Sequence, residues 1–226
     1  MRIEYLNRAE AFRYMGAGTD VENKIKGELL KITEECEQAL LKTLEPRYVY
    51  KVFDITPAEN GINILNTPLT LKGKDVYSHL KGCTRCVFLC VTLSAGVDKL
   101  IRAYETEGME KALVADSLAS AATEQACELA EEEIQAAVGK NYHFTWRFSP
   151  GYGDFPLDTQ VELLKLIDAP KRIGVTVTDS MILIPRKSVT AVIGVSETEI
   201  PKGRRGCGSC NMKDSCKYRK NYGHCV

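Results

Sequence analysis

Residues 86–93, Cys86-Val87-Phe88-Leu89-Cys90-Val91-Thr92-Leu93, decide the fold. Every side chain except Thr92 is apolar, and so continuous a run reads as a buried strand. Downstream, residues 95–104 and 109–138 read as helices, the second long, rich in Ala and Glu, and closed by Gly139. Upstream, residues 74–81 are expected as a short helix and 62–65 as a short strand following Asn60-Gly61. Tyr48, Val49, Tyr50, Val52, Phe53 and Ile55 make residues 47–55 a strand. A helix is expected over 20–45, because Val21, Ile25, Leu29, Ile32, Cys36 and Leu40 recur at helical spacing; Asp20 can cap it and Pro46 stops it.

Beyond the long helix, residues 142–148 are aromatic and strand-like, and Ser149-Pro150-Gly151-Tyr152-Gly153 must be a loop. Residues 158–167 read as a helix capped by Asp158, and 182–184 and 189–195 as strands flanking Pro185. Strands and helices lack the strict alternation of a βαβ wheel, and neither a GxGxxG nor a P-loop lysine motif occurs. The expected class is α+β: one domain over 1–200, with a mostly antiparallel twisted sheet and packed helices. A basic, Cys-rich tail over 201–226 completes the chain.

The 226 residues carry 30 Lys+Arg and 30 Asp+Glu, so the net charge is zero. With pI near 6.8, that balance argues against a protein held on nucleic acid by bulk charge. The longest apolar-rich stretch, 86–97, is about twelve residues where a membrane span needs roughly 20. With the acids Glu4 and Glu10 and no apolar run in the first residues, no secretory signal is expected there. A cytoplasmic location, away from nucleic acid and membrane, is expected. Nine cysteines without a signal peptide argue against a disulfide framework.

Arg147-Phe148-Ser149-Pro150-Gly151-Tyr152 carries the functional signal. A strand ends in a fixed cation, a rigid turn follows, and then an aromatic ring. Arg is a natural fork for a carboxylate. Ser149 and Gly151 leave main-chain donors and acceptors open to a ligand, and Tyr152 offers a flat face and a hydroxyl. Together they suit a small zwitterion with an aromatic part. The plainer alternative is a turn beside a surface salt bridge.

This loop, followed by Thr178-Asp179-Ser180-Met181 and by Pro185-x-x-Ser188-Val189, resembles the activation domain of cobalamin-dependent methionine synthase. Leu80-Lys81-Gly82-Cys83, Val91-Thr92-Leu93-Ser94-Ala95-Gly96, Asp116 and Glu124 resemble forms of the domain found as separate polypeptides. The resemblance spans about residues 1–197. It implies an S-adenosylmethionine site in which Arg147 holds the methionine carboxylate. The Ser149 backbone would meet the adenine end, with Gly151 in the same turn, and Tyr152 would pack by the ligand. Glu124 aligns with a family acid near the amino group, and its charge suits a sulfonium. The alternative for Glu124 is an ordinary helix-surface acid.

The chain departs from the family pattern at Asn141, where an acid is expected, and in lacking a clear late tyrosine and a cobalamin-binding Asp-x-His-x-x-Gly. The resemblance therefore implies an accessory methyltransferase subunit. It would act with a cobalamin-binding methionine synthase or another corrinoid protein and a flavodoxin- or ferredoxin-like electron donor, and would support reductive methylation of cob(II)alamin.

From residue 201 onward there are seven Lys/Arg and one acid, and Cys207, Cys210, Cys216 and Cys225 crowd together. Four thiolates in this arrangement suggest a zinc or iron–sulfur site, with a flexible basic tail of free thiols as the alternative. Such a cluster would also suit a reductive activator of another corrinoid methyltransferase. A non-catalytic metal-binding interaction protein is a further alternative. Cys83 and Cys86 read as small hydrophobes, with a second metal-binding pair or a share in the tail site as the alternative; His79 and His143 read as structural, and the Glu128–Glu133 run as a solvated helix face.

Overall fold

A computed structural model describes residues 1–16, 27–139 and 141–200. In chain order its elements are α1 (Arg8–Tyr14), α2 (Glu28–Thr43), β1 (Arg47–Ala58), β2 (Gly61–Ile64), β3 (Thr70–Lys72), α3 (Lys74–Leu80), β4 (Arg85–Thr92), α4 (Ala95–Glu107), α5 (Met109–Val138), β5 (His143–Phe144), α6 (Thr159–Leu166), α7 (Ala169–Ile173), β6 (Thr176–Val177), β7 (Leu183–Ile184) and β8 (Ser188–Ser196). The main sheet has six strands in the order β3-β2-β1-β4-β8-β5, and β6 and β7 form a separate hairpin. Every neighbouring pair is antiparallel. The class is α+β, as expected.

The apolar run at 86–93 occupies the middle of this sheet because both of its faces are covered. Val87, Leu89 and Val91 alternate toward a core shared with α1, α2, α4 and α5. Cys86, Phe88 and Cys90 point to the opposite core, with α3, α6 and α7. Two-residue alternation thus feeds two apolar layers from one strand. Burial keeps the thiols neutral: it pushes Cys83 up to about 11 and Cys90 up to about 12, and Cys86 still higher. They act here as small apolar side chains.

The long helix lies against the first of these cores. Ala115, Ala119, Ala122, Ala126 and Ala130 are fully buried. They recur at helical spacing, so small side chains let α5 approach the sheet and its neighbouring helices closely. Its bounds, 109–138, are those read from the sequence. α2 is shorter than expected. Gly27, at φ +72°, stands at its N-cap position in the left-handed region, and the helix begins at Glu28. The expected cap Asp20 lies outside the described residues. Pro46 has its expected effect: the helix stops at Thr43 and Leu44 is extended.

Asp158 occupies the N-cap position of α6 but makes no side-chain capping bond. Its backbone is already helical (φ −65°, ψ −18°), whereas a capping side chain works from an extended residue. α1, β3, α7 and β6 were not foreseen; except for the seven-residue α1, each has five residues or fewer. The Cys-rich tail, with its expected metal site at Cys207, Cys210, Cys216 and Cys225, lies outside the described residues. Among the described residues no helix is long and apolar enough to cross a membrane, and no group of three or more His, Cys, Asp or Glu side chains could hold a metal ion.

Candidate functional site

The expected strand over 142–148 is broken, and the break makes the site. β5 pairs His143 with Ser196 and Phe144 with Val195. Thr145 N then donates to Gly194 O at 3.0 Å. Pairing resumes at Phe148, which exchanges two 2.9 Å main-chain bonds with Val192. Trp146 and Arg147 therefore stand together opposite the single residue Ile193. Two residues against one is a β-bulge, a device that re-aims side chains at sheet edges.

A side-chain contact fixes the bulge. Gly194 N donates to Thr145 Oγ1 at 2.7 Å, so the hydroxyl stands in for the usual ladder acceptor. The same oxygen lies 2.8 Å from His79 Nε2. Gly194 must be glycine: a Cβ there would sit 2.5 Å from Cys83 Sγ, 3.0 Å from Thr145 Cγ2 and 3.1 Å from Leu80 Cδ2. His79 is buried, stacked on Phe148 at 5.0 Å and edge-on to Trp146 at 4.9 Å. It fills the structural role expected of it.

The bulge brings the Arg147 guanidinium to the flank of α5. Its NH2 lies 2.8 Å from Glu124 Oε2 and its Nε 2.8 Å from Glu131 Oε1. The side chains are 13% exposed for Arg147, 30% for Glu124 and 15% for Glu131. A seven-residue separation is just under two helical turns, so both acids lie on one face of α5. Nearer the N-terminus of α5, one and two turns before Glu124, Lys187 Nζ meets Ser120 Oγ at 2.8 Å and Asp116 Oδ1 at 2.9 Å. Asp116, Ser120 and Glu124 thus form one row at four-residue spacing, met by cations from the lead-in to β8 and from the bulge.

The turn after the bulge is more self-contained than the sequence suggested. Gly151 N donates to Phe155 O at 2.8 Å, and Tyr152 N donates to Ser149 O at 3.2 Å. The Gly151 donor and the Ser149 acceptor, expected to be open to a ligand, are used within the loop because a tight turn satisfies its own main chain first. Gly151 adopts φ +93°, which favours glycine there. Phe148 stacks on Phe155 at 5.8 Å. Tyr152 contacts Phe148 with ring centroids 6.5 Å apart and is 66% exposed, so its face and hydroxyl are available.

The loop is also tied to α3. Asp154 accepts from Lys74 N at 2.7 Å and Asp75 N at 2.9 Å, while Asp154 N donates to Asp75 Oδ2 at 3.1 Å. Each aspartate caps the other's backbone, a capping box spread over two distant segments. The hydrogen bonds from Asp75 N and Lys74 N hold the Asp154 carboxyl below its ordinary 3.8.

The structure therefore joins Arg147 to Glu124, both singled out in the sequence, and places Ser149, Gly151 and Tyr152 in the following turn. Glu131 was missed. The Glu128–Glu133 run is not wholly solvated: Glu131 is drawn inward by Arg147, and Glu133 accepts from the Tyr48 hydroxyl. The available signal was the i to i+7 spacing from Glu124. Thr145 and Asp154 were missed because their partners are remote in sequence. One cation between two carboxylates gives the cluster a formal charge of −1. With an exposed aromatic ring on the next turn, it can receive a group carrying both a carboxylate and positive charge.

The model of the vitamin B12-dependent methionine synthase activation domain matches residues 78–200, more than half of the chain. Among solved structures, the chain is similar to a crystal structure of the MetH reactivation domain bound to AdoHcy. The TM-score is 0.65 and the identity 18%, over 89% of this chain and 77% of that one. No curated protein matches the chain.

Proposed function

The chain belongs to the family of vitamin B12-dependent methionine synthase activation domains, and from this we propose that it binds S-adenosylmethionine at the Arg147 bulge and acts as an accessory to a corrinoid methyltransferase. The observation that carries the reading is the contact between Arg147 NH2 and Glu124 Oε2, at 2.8 Å and partly enclosed. An amino-acid zwitterion needs one cation and one anion side by side, and this pair supplies both. Tyr152 offers a face to the rest of the ligand, with Ser149 and Gly151 shaping the turn beneath it. The cluster's remaining negative charge favours the sulfonium over a neutral thioether.

In this reading the substrate is cob(II)alamin on the partner protein, either methionine synthase or another corrinoid enzyme. One electron from a flavodoxin- or ferredoxin-like donor reduces it to cob(I). The sulfonium methyl then passes to cobalt, leaving S-adenosylhomocysteine. The chain's part is to hold the methyl donor in place. The proposal extends to one metal centre, zinc or iron–sulfur, on Cys207, Cys210, Cys216 and Cys225; their density in the tail supports it, and metal analysis of anaerobically purified protein tests it.

Calorimetric titration tests the ligand site. Wild type binds S-adenosylmethionine, and Arg147→Ala weakens binding by about 1.5–3 kcal/mol, roughly ten- to a hundredfold. Equal affinity in the two proteins would remove Arg147 from the site.

A further inference from the structure

We propose that Glu131 is a positioning residue: it fixes Arg147 through Nε, while Glu124 is the partner that the ligand displaces from the same guanidinium. The assignment rests on the S-adenosylmethionine reading above.

Three observations carry it. The two carboxylates meet different nitrogens, Glu131 at Nε and Glu124 at NH2, each at 2.8 Å. Nε is where the planar group joins its stem, so a bond there sets the direction of the whole fork, whereas NH2 lies at its outer edge. Glu131 is also the more enclosed acid, 15% exposed against 30% for Glu124. At equal length, the less hydrated contact is thus on the inner nitrogen and the more exposed carboxylate is on the outer one.

The charge balance fits an exchange. Arg147, Glu124 and Glu131 sum to −1. An incoming aminocarboxylate is neutral overall and offers its carboxylate to Arg147 NH2 and its ammonium to Glu124. One internal ion pair is replaced by two ligand pairs, and the sulfonium offsets the remaining negative charge. No bond to protein forms or breaks. If Glu124 alone aimed Arg147, that aim would be lost once Glu124 turned to the ligand ammonium. Glu131 keeps the guanidinium in place after Glu124 turns to the ammonium.

The test compares two ligands on the full chain: S-adenosylmethionine and its decarboxylated analogue, which keeps the sulfonium and the ammonium. Wild type prefers the carboxylate-bearing ligand by about ten- to a hundredfold. In Glu131→Gln that preference shrinks toward unity, because the Arg147 fork is no longer aimed. A merely structural role would weaken both ligands together and leave the ratio as in wild type, and that result overturns the assignment. If Glu131→Gln does not fold, wild type still decides. The Arg147 Nε–H resonance, identified by its loss in Arg147→Lys, stays protected from solvent exchange when S-adenosylmethionine saturates the protein. Free exchange in the bound state overturns the assignment as well. Failure of wild type to bind either ligand instead removes the underlying reading, and the role of Glu131 falls with it.

Discussion

β8 has two neighbours, and they differ in kind. On one side β4 pairs with it over eight successive residues, from Arg85 opposite Val195 to Thr92 opposite Ser188. On the other side β5 contributes two pairs, then a bulge, then the single bridge at Phe148. The regular edge encloses apolar side chains in two cores. The interrupted edge aims a cation at an acidic helix face and starts the loop that ends in Tyr152. A full ladder satisfies its backbone and leaves nothing for a ligand; a broken one releases side chains from the pleat.

The largest effect is expected on the regular edge. Phe88 is fully buried at the centre of β4, with its ring 4.8 Å from Phe53. Phe88→Ala should lower stability by about 3–5 kcal/mol, measured by denaturant unfolding. The protein that remains folded should bind S-adenosylmethionine as wild type does. A parallel loss of affinity would mean that core and site are not separable.

Thr145→Val acts on the interrupted edge. It removes the oxygen that accepts from Gly194 N and meets His79. A buried N–H left without that acceptor costs about 1–3 kcal/mol. Unlike Phe88→Ala, this change should weaken S-adenosylmethionine binding in fully folded protein, because the bulge that aims Arg147 loses its tie. Unchanged affinity would show that the hydroxyl does not hold the bulge.

The smallest effect concerns the loop's anchor. The Asp154 carboxyl titrates below its ordinary 3.8 in the folded protein. Its contribution to stability is therefore complete above that value and is lost as pH falls through the lower folded one. Asp154→Asn should flatten a shallow decline in melting temperature below about pH 4 and change little at neutrality, as expected for an exposed group. Coincident pH profiles for the two proteins would discount the Asp75–Asp154 clamp.

The same contrast explains what could be read from sequence. Residues 86–93 and 109–138 are governed by their own composition, so strand β4 and helix α5 were legible, the latter to its end residues. Arg147 and Glu124 were legible as site candidates from the loop pattern and its resemblance to a known family. The bulge was not, because residues 142–148 have strand composition throughout and the break depends on Gly194, some fifty positions away. Glu131 was hidden by its acidic neighbours, since periodicity marks a face but does not tell which acid meets a cation. Asp158 looks like a cap in sequence but is already helical, whereas Asp154 caps α3 across 80 residues. Local pattern fixes elements; contacts between remote segments fix the geometry of the candidate site.

A crystal structure of the protein with S-adenosylhomocysteine tests the ligand site most directly. The ligand carboxylate should lie within hydrogen-bond distance of Arg147 NH2, its ammonium at Glu124, and the Arg147 Nε–Glu131 contact should be retained. A ligand bound elsewhere, with the Arg147–Glu124 pair still closed, would contradict the site.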